Sequence, residues 1–233
     1  MVNTLKRLHK GIYAEAIKIK KAPKNGMPRL NLKRLVYGNQ KLDKSILIFD
    51  LLAGTELGVC NQNCFKCYAL QSQKQYIYSY MFRYLNTILA KNYTDILKDI
   101  IITQIKSAKS KNIIRIHSSG DFFTQDYIDM WNCIIGQFPN KKFYAYTKRL
   151  NDFNFTDIQK NKNFNLINSF VSLDGQSVIN YGDKEHIKKL SENGCFVCPA
   201  TKQNWKGMCG KECNYCITNK NVCFHIHFNG QKK

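Results

Sequence analysis

The stretch Asn112-Ile-Ile-Arg-Ile-His117 runs directly into Ser118-Ser-Gly-Asp121. Its first part is a short apolar run, which is typical of a buried strand, and its second part carries the small and polar residues that end one. An earlier apolar run, residues 45–52, stops before Gly54 in the same way. Both strands are followed by helical patterns, so the two stretches predict strand–helix units of an α/β fold.

Strands and helices continue to alternate along the chain. Helices are predicted over 68–91, 94–110, 124–138 and 186–190, and further strands over 142–147 and 166–173. The first helix is predicted from apolar residues at helical spacing, and Thr94 is the expected N-cap of the second. The apolar residues of the first helix are Ile77, Met81, Leu85, Ile88 and Leu89. Because a complete eight-fold barrel takes about 250 residues, a chain of 233 residues is expected to form a partial (β/α) barrel or an open parallel sheet.

Ten cysteines are the strongest compositional signal. The first ten residues contain no apolar secretory segment, so a cytoplasmic location is expected. In a reducing compartment cysteines indicate metal, cluster or catalytic thiolates in preference to disulfides. Three cysteines lie close to the first strand, six lie in the last part of the chain, and Cys133 is expected to be a small buried apolar residue. These patterns divide the chain into a basic segment 1–44, an α/β core 45–190 and a Cys-rich tail 191–233.

The first cysteines follow the pattern Cys60-x3-Cys64-x2-Cys67-Tyr68. Thiolates at this spacing can hold an iron–sulfur cluster or supply three ligands of a zinc site. The pattern, placed after the first strand of an α/β array, resembles the radical S-adenosylmethionine (radical SAM) superfamily. That resemblance implies a [4Fe-4S] cluster on the three cysteines and SAM bound to its free iron.

The same resemblance implies that Ser119, Gly120 and Asp121 contact the amino group of SAM, and that Ser172 or Asp174 contacts its ribose. It implies an enzyme that receives an electron from a donor, forms a 5′-deoxyadenosyl radical and abstracts hydrogen from a substrate that the sequence does not identify. Two alternatives stay open at the second strand end. Asp121 is a candidate N-cap of the following helix, and His117 is either a core histidine or a base or ligand.

A resemblance that spans most of the chain is to an uncharacterised phage- and plasmid-borne family, the gene product eighty-eight type. Cys67-Tyr-Ala69 and residues 117–122 (His-Ser-Ser-Gly-Asp-Phe) carry it, together with Cys198-Pro199 and the later cysteines of the tail. This resemblance implies a phage or plasmid protein and no particular activity.

The tail contains six cysteines, two of whose pairs have the x2 spacing of metal-binding knuckles. They are Cys195, Cys198, Cys209, Cys213, Cys216 and Cys223. The spacing predicts a metal site that holds either zinc or a second [4Fe-4S] cluster, and it does not choose which four cysteines are ligands. His225 and His227 lie just beyond, with His227 the better candidate ligand.

The charge is a weaker signal. The chain has 36 Lys+Arg against 16 Asp+Glu, a net charge of +20, and half of this excess lies in residues 1–44. Nucleic acid bound through this segment is therefore a candidate partner, although a solvated Lys-rich face explains the same residues.

The alternative function is a zinc-stabilised nucleic-acid-binding protein without catalysis. A metal-dependent hydrolase using His117 and Asp121 is a third candidate. No membrane span is expected, since no apolar run is long enough.

Overall fold

The computed structural model describes residues 34–60, 67–169, 178–179, 184–192, 194–199, 205–218 and 222–224. The strands in chain order are β1 (Val36–Tyr37), β2 (Ile46–Phe49), β3 (Ile113–Ile116), β4 (Lys142–Thr147), β5 (Phe164–Asn168), β6 (Val178–Ile179), β7 (Phe196–Val197) and β8 (Val222–Phe224). The helices are α1 (Tyr68–Gln75), α2 (Ile77–Asn92), α3 (Thr94–Ser107), α4 (Gln125–Gly136), α5 (Thr156–Gln159), α6 (Lys184–Glu192) and α7 (Tyr215–Thr218).

Five of the strands form one sheet in the order β1-β2-β3-β4-β5. Strands β2 to β5 are parallel, and the short β1 pairs with β2 in the antiparallel direction. The order has two ends, so this sheet is open and is not a closed barrel. A second sheet of three short parallel strands has the order β6-β8-β7 and belongs to the last part of the chain. The predicted α/β class with an open parallel sheet is confirmed.

One face of the large sheet packs against α3 and α4. Alternate residues of the strands form this face, because successive side chains of a strand point to opposite sides. The core contains Leu47, Phe49, Ile114, Ile116, Phe143, Ala145 and Leu166 from the strands, with Leu97, Ile101, Ile105, Tyr127 and Trp131 from the helices. This layer is an ordinary apolar core.

The opposite face of the sheet is covered by the cysteine-rich part of the chain. Ile46 and Ile48 of β2 pack with Cys209, and Ile167 of β5 packs with Cys198 and Val222. A parallel sheet that is buried on both faces explains why residues 45–52 are apolar at nearly every position. The residues from Arg34 onward form one compact unit that includes the described part of the tail.

The helical region after the first cysteines differs from the prediction. The expected single helix ends at Gln75 and starts again at Ile77, since Tyr76 between them has an extended backbone. The predicted buried face is also wrong, because Ile77 and Met81 are exposed. The residues of α2 that are buried are Arg83, Asn86, Thr87 and Ala90.

Three smaller predictions are also corrected. Tyr93 stands at the N-cap of α3, and the Thr94 hydroxyl donates a hydrogen bond to the Ala90 carbonyl at 3.0 Å. Cys133 is exposed and was expected to be buried. The last strand of the large sheet begins at Phe164 and ends at Asn168, earlier than predicted. In the described part of the chain no helix is both long and apolar enough to cross a membrane.

Candidate functional site

The carboxyl ends of β2 and β3 are joined by the side chain of Asp50. This carboxylate accepts hydrogen bonds from the backbone N–H groups of Ser118 at 2.7 Å and Ser119 at 3.0 Å. The Ser118 hydroxyl donates to the same carboxylate, and the Leu51 N–H donates to the Ser119 carbonyl at 3.0 Å. The loops that follow these two neighbouring strands are therefore fixed to each other.

Polar residues on the buried side of α2 complete this arrangement. The guanidinium of Arg83 lies 3.3 Å from the Asp50 carboxylate, and both side chains are almost fully buried. A second nitrogen of Arg83 donates to the Ala69 carbonyl at 3.2 Å, and the Asn86 amide donates to the Asp50 carbonyl at 2.9 Å. Sequence reasoning missed this network. Its signal was the spacing of Arg83, Asn86 and Thr87 along one side of a helix.

The segment that leads into the first cysteines is held from two helices. The Leu52 N–H donates to the Thr87 hydroxyl at 2.9 Å. The side-chain amide of Gln73 accepts from the Ala53 N–H at 2.7 Å and donates to the Ala53 carbonyl at 3.2 Å. These contacts fix the direction in which the chain leaves β2 toward the predicted cluster loop.

Two of the three predicted cluster ligands are described. Cys60 and Cys67 are both half-buried, and Cys67 directly precedes α1. Cys64 lies outside the described residues, so the structure does not test the three-cysteine set.

Gly120 and Asp121 follow β3, as the sequence predicts. Gly120 has a φ of +84°, and a Cβ atom there would lie 2.6 Å from the Leu51 Cβ. Only glycine fits this conformation and this close approach without strain. The predicted glycine therefore lets the loop after β3 lie directly against the loop after β2.

The carboxylate of Asp121 is buried and ties β3 to β4. It accepts hydrogen bonds from the Thr147 hydroxyl at 2.7 Å, the Lys148 N–H at 2.9 Å and the Phe122 N–H at 2.7 Å. Burial raises its pKa to about 6, although these hydrogen bonds act in the opposite direction. It is not the N-cap of α4, because the Thr124 side chain accepts from Tyr127 in that role.

His117 has the only positive φ among the described non-glycine residues, at +63°. Its Nε2 lies 2.8 Å from the Tyr127 hydroxyl, while its buried Nδ1 has no hydrogen-bond partner. Burial, helped by the nearby charge of Arg115, lowers the pKa of His117 to about 3, so the imidazole is neutral near pH 7. The buried Ser119 hydroxyl also has no partner. Two unused polar groups thus lie in this one strand end.

At the carboxyl end of β4, Arg149 contacts several groups of the loop that follows. Its Nε lies 2.7 Å from the Asp152 carboxylate, and its guanidinium lies over the Phe153 ring at 4.6 Å from the centroid. A further nitrogen donates to the Phe122 carbonyl at 3.3 Å. The candidate ribose contacts Ser172 and Asp174 lie outside the described residues.

The tail cysteines divide into one disulfide pair and four others. Cys195 and Cys223 form a disulfide, with Cα atoms 6.1 Å apart. The sequence predicts thiolate ligands at both positions. A disulfide sulfur is not a thiolate, so this role stays a prediction for the chain with the disulfide reduced. The other four tail cysteines, Cys198, Cys209, Cys213 and Cys216, lie outside this disulfide.

The described part of the tail does not contain a preformed metal site. Burial raises the pKa of Cys216 to about 11 and also raises the pKa of Cys209, so both are protonated without a metal. In the described part of the chain no group of three or more His, Cys, Asp and Glu side chains is arranged to hold a metal ion. His225 and His227 lie outside the described residues.

The basic segment 1–44 is described only from residue 34. Arg34 is buried, and burial lowers its pKa to about 10. Its guanidinium lies 3.5 Å from the Asn86 side-chain oxygen, so this residue supports the core. Lys41 and Lys44 are exposed.

The fold and these strand ends define a class: an α/β protein with a parallel sheet and a polar site at the carboxyl ends of adjacent strands, where α/β proteins bind ligands. Residues 29–222 match the model of the family described as Gene product 88, and the chain belongs to that family. The predicted resemblance to this phage family is confirmed.

A curated relative is the Gene 88 protein of Mycobacterium phage D29. It is 27% identical to this chain over 155 residues, which cover 59% of the chain and 62% of the relative. The match therefore spans less than two thirds of the length of that relative. No solved structure matches the chain.

Proposed function

We propose that this protein is a radical SAM-type iron–sulfur enzyme of a phage or plasmid, acting on a substrate that is not yet identified. One observation carries the proposal. Cys60 and Cys67 follow strand β2, and Ser119-Gly-Asp121 follow strand β3, its parallel neighbour in the sheet. The Asp50 hydrogen bonds hold these two loops together.

The residues at these two strand ends fit an iron–sulfur cluster with SAM bound to it. Cys60 and Cys67 are two of the three cysteines of the predicted ligand set, and thiolates are the usual ligands of iron–sulfur clusters. The Ser119 hydroxyl is buried without a partner and is available to a polar ligand. Asp121 accepts three hydrogen bonds of the about four that a carboxylate can accept, which leaves one position for an ammonium group.

When bound, the cluster would supply the electron that cleaves SAM. The protein itself would bind and orient the cofactor and exclude water. Asp50 and Arg83 would hold the two loops in fixed positions relative to each other, while Gly120 permits the close approach of their backbones. Asp121 would offer its remaining acceptor position to the amino group of SAM while it holds the Thr147 hydroxyl and the Lys148 N–H.

The test is anaerobic purification of the full chain, followed by iron and sulfide analysis and incubation with SAM and a reductant. We expect a brown protein that forms 5′-deoxyadenosine. Cys60→Ala and Cys67→Ala should abolish that product. The matched control Cys133→Ala, at an exposed cysteine, should leave it unchanged. A colourless protein that takes up zinc and no iron after reconstitution would exclude the proposal.

The cofactor proposal includes a second metal centre in the tail, either a [4Fe-4S] cluster or zinc. Partner proposals include an electron donor and nucleic acid bound through residues 1–44. Salt-dependent binding of nucleic acid that is lost when residues 1–33 are removed would support the latter. Binding that is unchanged by this removal would contradict it.

A further inference from the structure

Lysines gather at the edge of the large sheet that lies opposite the candidate site. The turns at which the parallel strands β2, β3, β4 and β5 begin are residues 41–45, 109–112, 140–142 and 160–163, and each contains two lysines. Because these strands are parallel, their amino ends meet at one edge of the sheet. Four segments that are distant in the chain therefore bring their lysines together. These four turns form the lysine edge.

The strand register aligns the lysines along this edge. Lys44 and Lys111 each stand two residues before the first pair that joins β2 to β3. Lys142 belongs to the first pair that joins β3 to β4, and Lys162 stands two residues before the first pair of β4 and β5. Adjacent strands lie about 4.8 Å apart, so the distance from β2 to β5 is about 14 Å. The lysines therefore form a row across the sheet.

Two lysines of the row are compensated by acids. The four turns contain one acidic residue, Asp43. Hydrogen bonds from Ser45 lower the pKa of Asp43, and the charge of Lys111 acts in the same direction. The Nζ of Lys160 lies 2.7 Å from the carboxylate of Asp157, which belongs to the preceding helix α5.

Three other lysines of the edge, Lys44, Lys142 and Lys162, are exposed. None of them forms an ion pair with another residue in the part of the chain that the structure describes. Like charges in a row repel one another and raise the local positive potential. An anionic partner would remove that repulsion.

The lysine edge is not an average sample of a lysine-rich chain. On α3 and α4 the acidic residues outnumber the basic ones. The acidic residues, all exposed, are Asp95, Asp99, Asp126 and Asp129, and the basic residues are Lys98 and Lys106. Positive charge is thus concentrated at one edge of the sheet, while the helices that pack on the sheet carry the opposite sign.

We propose that the lysine edge binds the phosphate backbone of a nucleic acid through Lys44, Lys142 and Lys162. Nucleic acids present a regular line of negative charges, which a row of cations neutralises. The edge contains no arginine, and lysine acts on phosphates as a point charge, so this binding is independent of base sequence. The exposed side-chain amides of Asn112 and Asn140 in the same turns are further groups of the kind that bind phosphates.

This surface goes beyond the proposed reaction. It lies at the opposite ends of the strands from Asp50 and Asp121, and it needs no metal. Of its three principal lysines only Lys44 belongs to the basic segment 1–44, so the surface is also distinct from that segment.

An anionic membrane is the competing partner for a row of lysines. Binding to a membrane surface depends on buried apolar side chains as well as on electrostatic attraction. Among the described residues, the large apolar side chains that are exposed lie in β1 and in residues 76–81, and none lies in the four turns. The lysine edge therefore fits a nucleic acid better than a membrane.

The experiment measures fluorescence anisotropy of a labelled DNA duplex of mixed sequence with the full chain at several salt concentrations. Each phosphate contact contributes about 0.9 to the slope of log K against log salt. The triple variant Lys44→Gln/Lys142→Gln/Lys162→Gln should therefore bind more weakly, with a slope shallower by about 2 to 3. Arginine at the same three positions should keep the parent slope.

The matched control is Lys74→Gln/Lys91→Gln/Lys98→Gln, which removes the same charge from α1, α2 and α3 and should keep the parent slope. Circular dichroism verifies that all variants are folded. An unchanged slope in the edge variant, or equal changes in both glutamine variants, would overturn the proposal. So would binding to phosphatidylserine vesicles through these lysines without binding to DNA. A chain that passes these tests but forms no 5′-deoxyadenosine would refute the proposed reaction alone.

Discussion

The strand ends and the Cys-rich tail lie on one sheet but are held by different means. At the strand ends, Asp50 and Asp121 each accept hydrogen bonds from several backbone and side-chain groups. In the tail, the described strands β7 and β8 are two and three residues long, and a disulfide joins two of its segments. The strand ends are thus held by buried hydrogen bonds, whereas the tail is held in part by a covalent cross-link.

The largest expected effect is at the strand ends. Asp50→Ala leaves the Arg83 charge buried and removes the acceptor of the Ser118 and Ser119 N–H groups. Breaking a buried pair in this way costs about 3–5 kcal/mol. The free energy of unfolding, measured by urea denaturation, should fall by that amount.

The matched control is Asp157→Ala, which removes a carboxylate from an ion pair with Lys160 on the surface. Exposed pairs contribute about 0–1 kcal/mol, so this variant should be close to the parent. Similar losses in the two variants would show that the strand ends are not held by the buried network.

The second effect concerns the tail. Replacing Cys195 and Cys223 by serine removes a disulfide that spans a sequence separation of 28 residues, and such links contribute about 2–4 kcal/mol. We expect faster amide hydrogen exchange in β7 and β8 and unchanged exchange in β3 and β4. Cys133→Ser should change neither region. Equal exchange throughout the double variant and the parent would show that the tail does not need the disulfide.

Gly120→Ala should have a smaller effect at the strand ends. The added Cβ meets Leu51 at 2.6 Å in a left-handed backbone conformation, and overpacking of this kind costs about 1–3 kcal/mol. Gly136→Ala at the end of α4 is the control, since its Cβ would meet nothing closer than 3.9 Å. There the change should be neutral or stabilise by up to about 1 kcal/mol. Equal destabilisation by both would contradict the close approach of the two loops.

The smallest effect in the parent protein is the pH dependence of the free energy of unfolding, because the contributions of two buried groups offset each other. Burial lowers the pKa of His117 from 6.5 to about 3, so its contribution to stability is lost as the pH falls below 6.5. Burial raises the pKa of Asp121 from 3.8 to about 6, so its contribution is lost as the pH rises through 6. Between about pH 4 and 6 the two contributions change in opposite directions and largely cancel.

Asp121→Asn should reveal the contribution of His117. Relative to the parent, the variant should lose up to about 1.4 kcal/mol of stability for each pH unit between 6 and 4. Urea denaturation at several pH values measures this difference. A difference in stability that does not change with pH would show that Asp121 titrates normally.

Sequence reasoning found the α/β class, the central strands and the glycine and aspartate after β3. Each is encoded locally, by a short apolar run or by a residue type at a strand end. It placed the wrong face of α2 in the core, because it followed Ile77 and Met81. Arg83 and Asn86 are buried there only because Asp50 and its backbone lie opposite. The spacing of Arg83, Asn86 and Thr87 indicates a polar side of the helix, but the partner Asp50 is distant in the chain and the spacing does not identify it.

The position of the tail shows the same limit. The cysteine spacing indicated a metal site, but not that Cys209 packs on β2 or that Cys195 pairs with Cys223. Both facts depend on contacts between segments far apart in the chain. The roles of the cysteines at the first loop stay predictions, since Cys64 lies outside the described residues.

The pairing of Leu42 with Cys209 also determines when the protein can finish folding. During synthesis Leu42 and strand β2 leave the ribosome long before Cys209 does, so the outer faces of Ile46 and Ile48 are uncovered for most of translation. Uncovered apolar strands are the surfaces through which incomplete chains aggregate. Chains that stop before Cys209 should therefore be the least soluble forms of this protein.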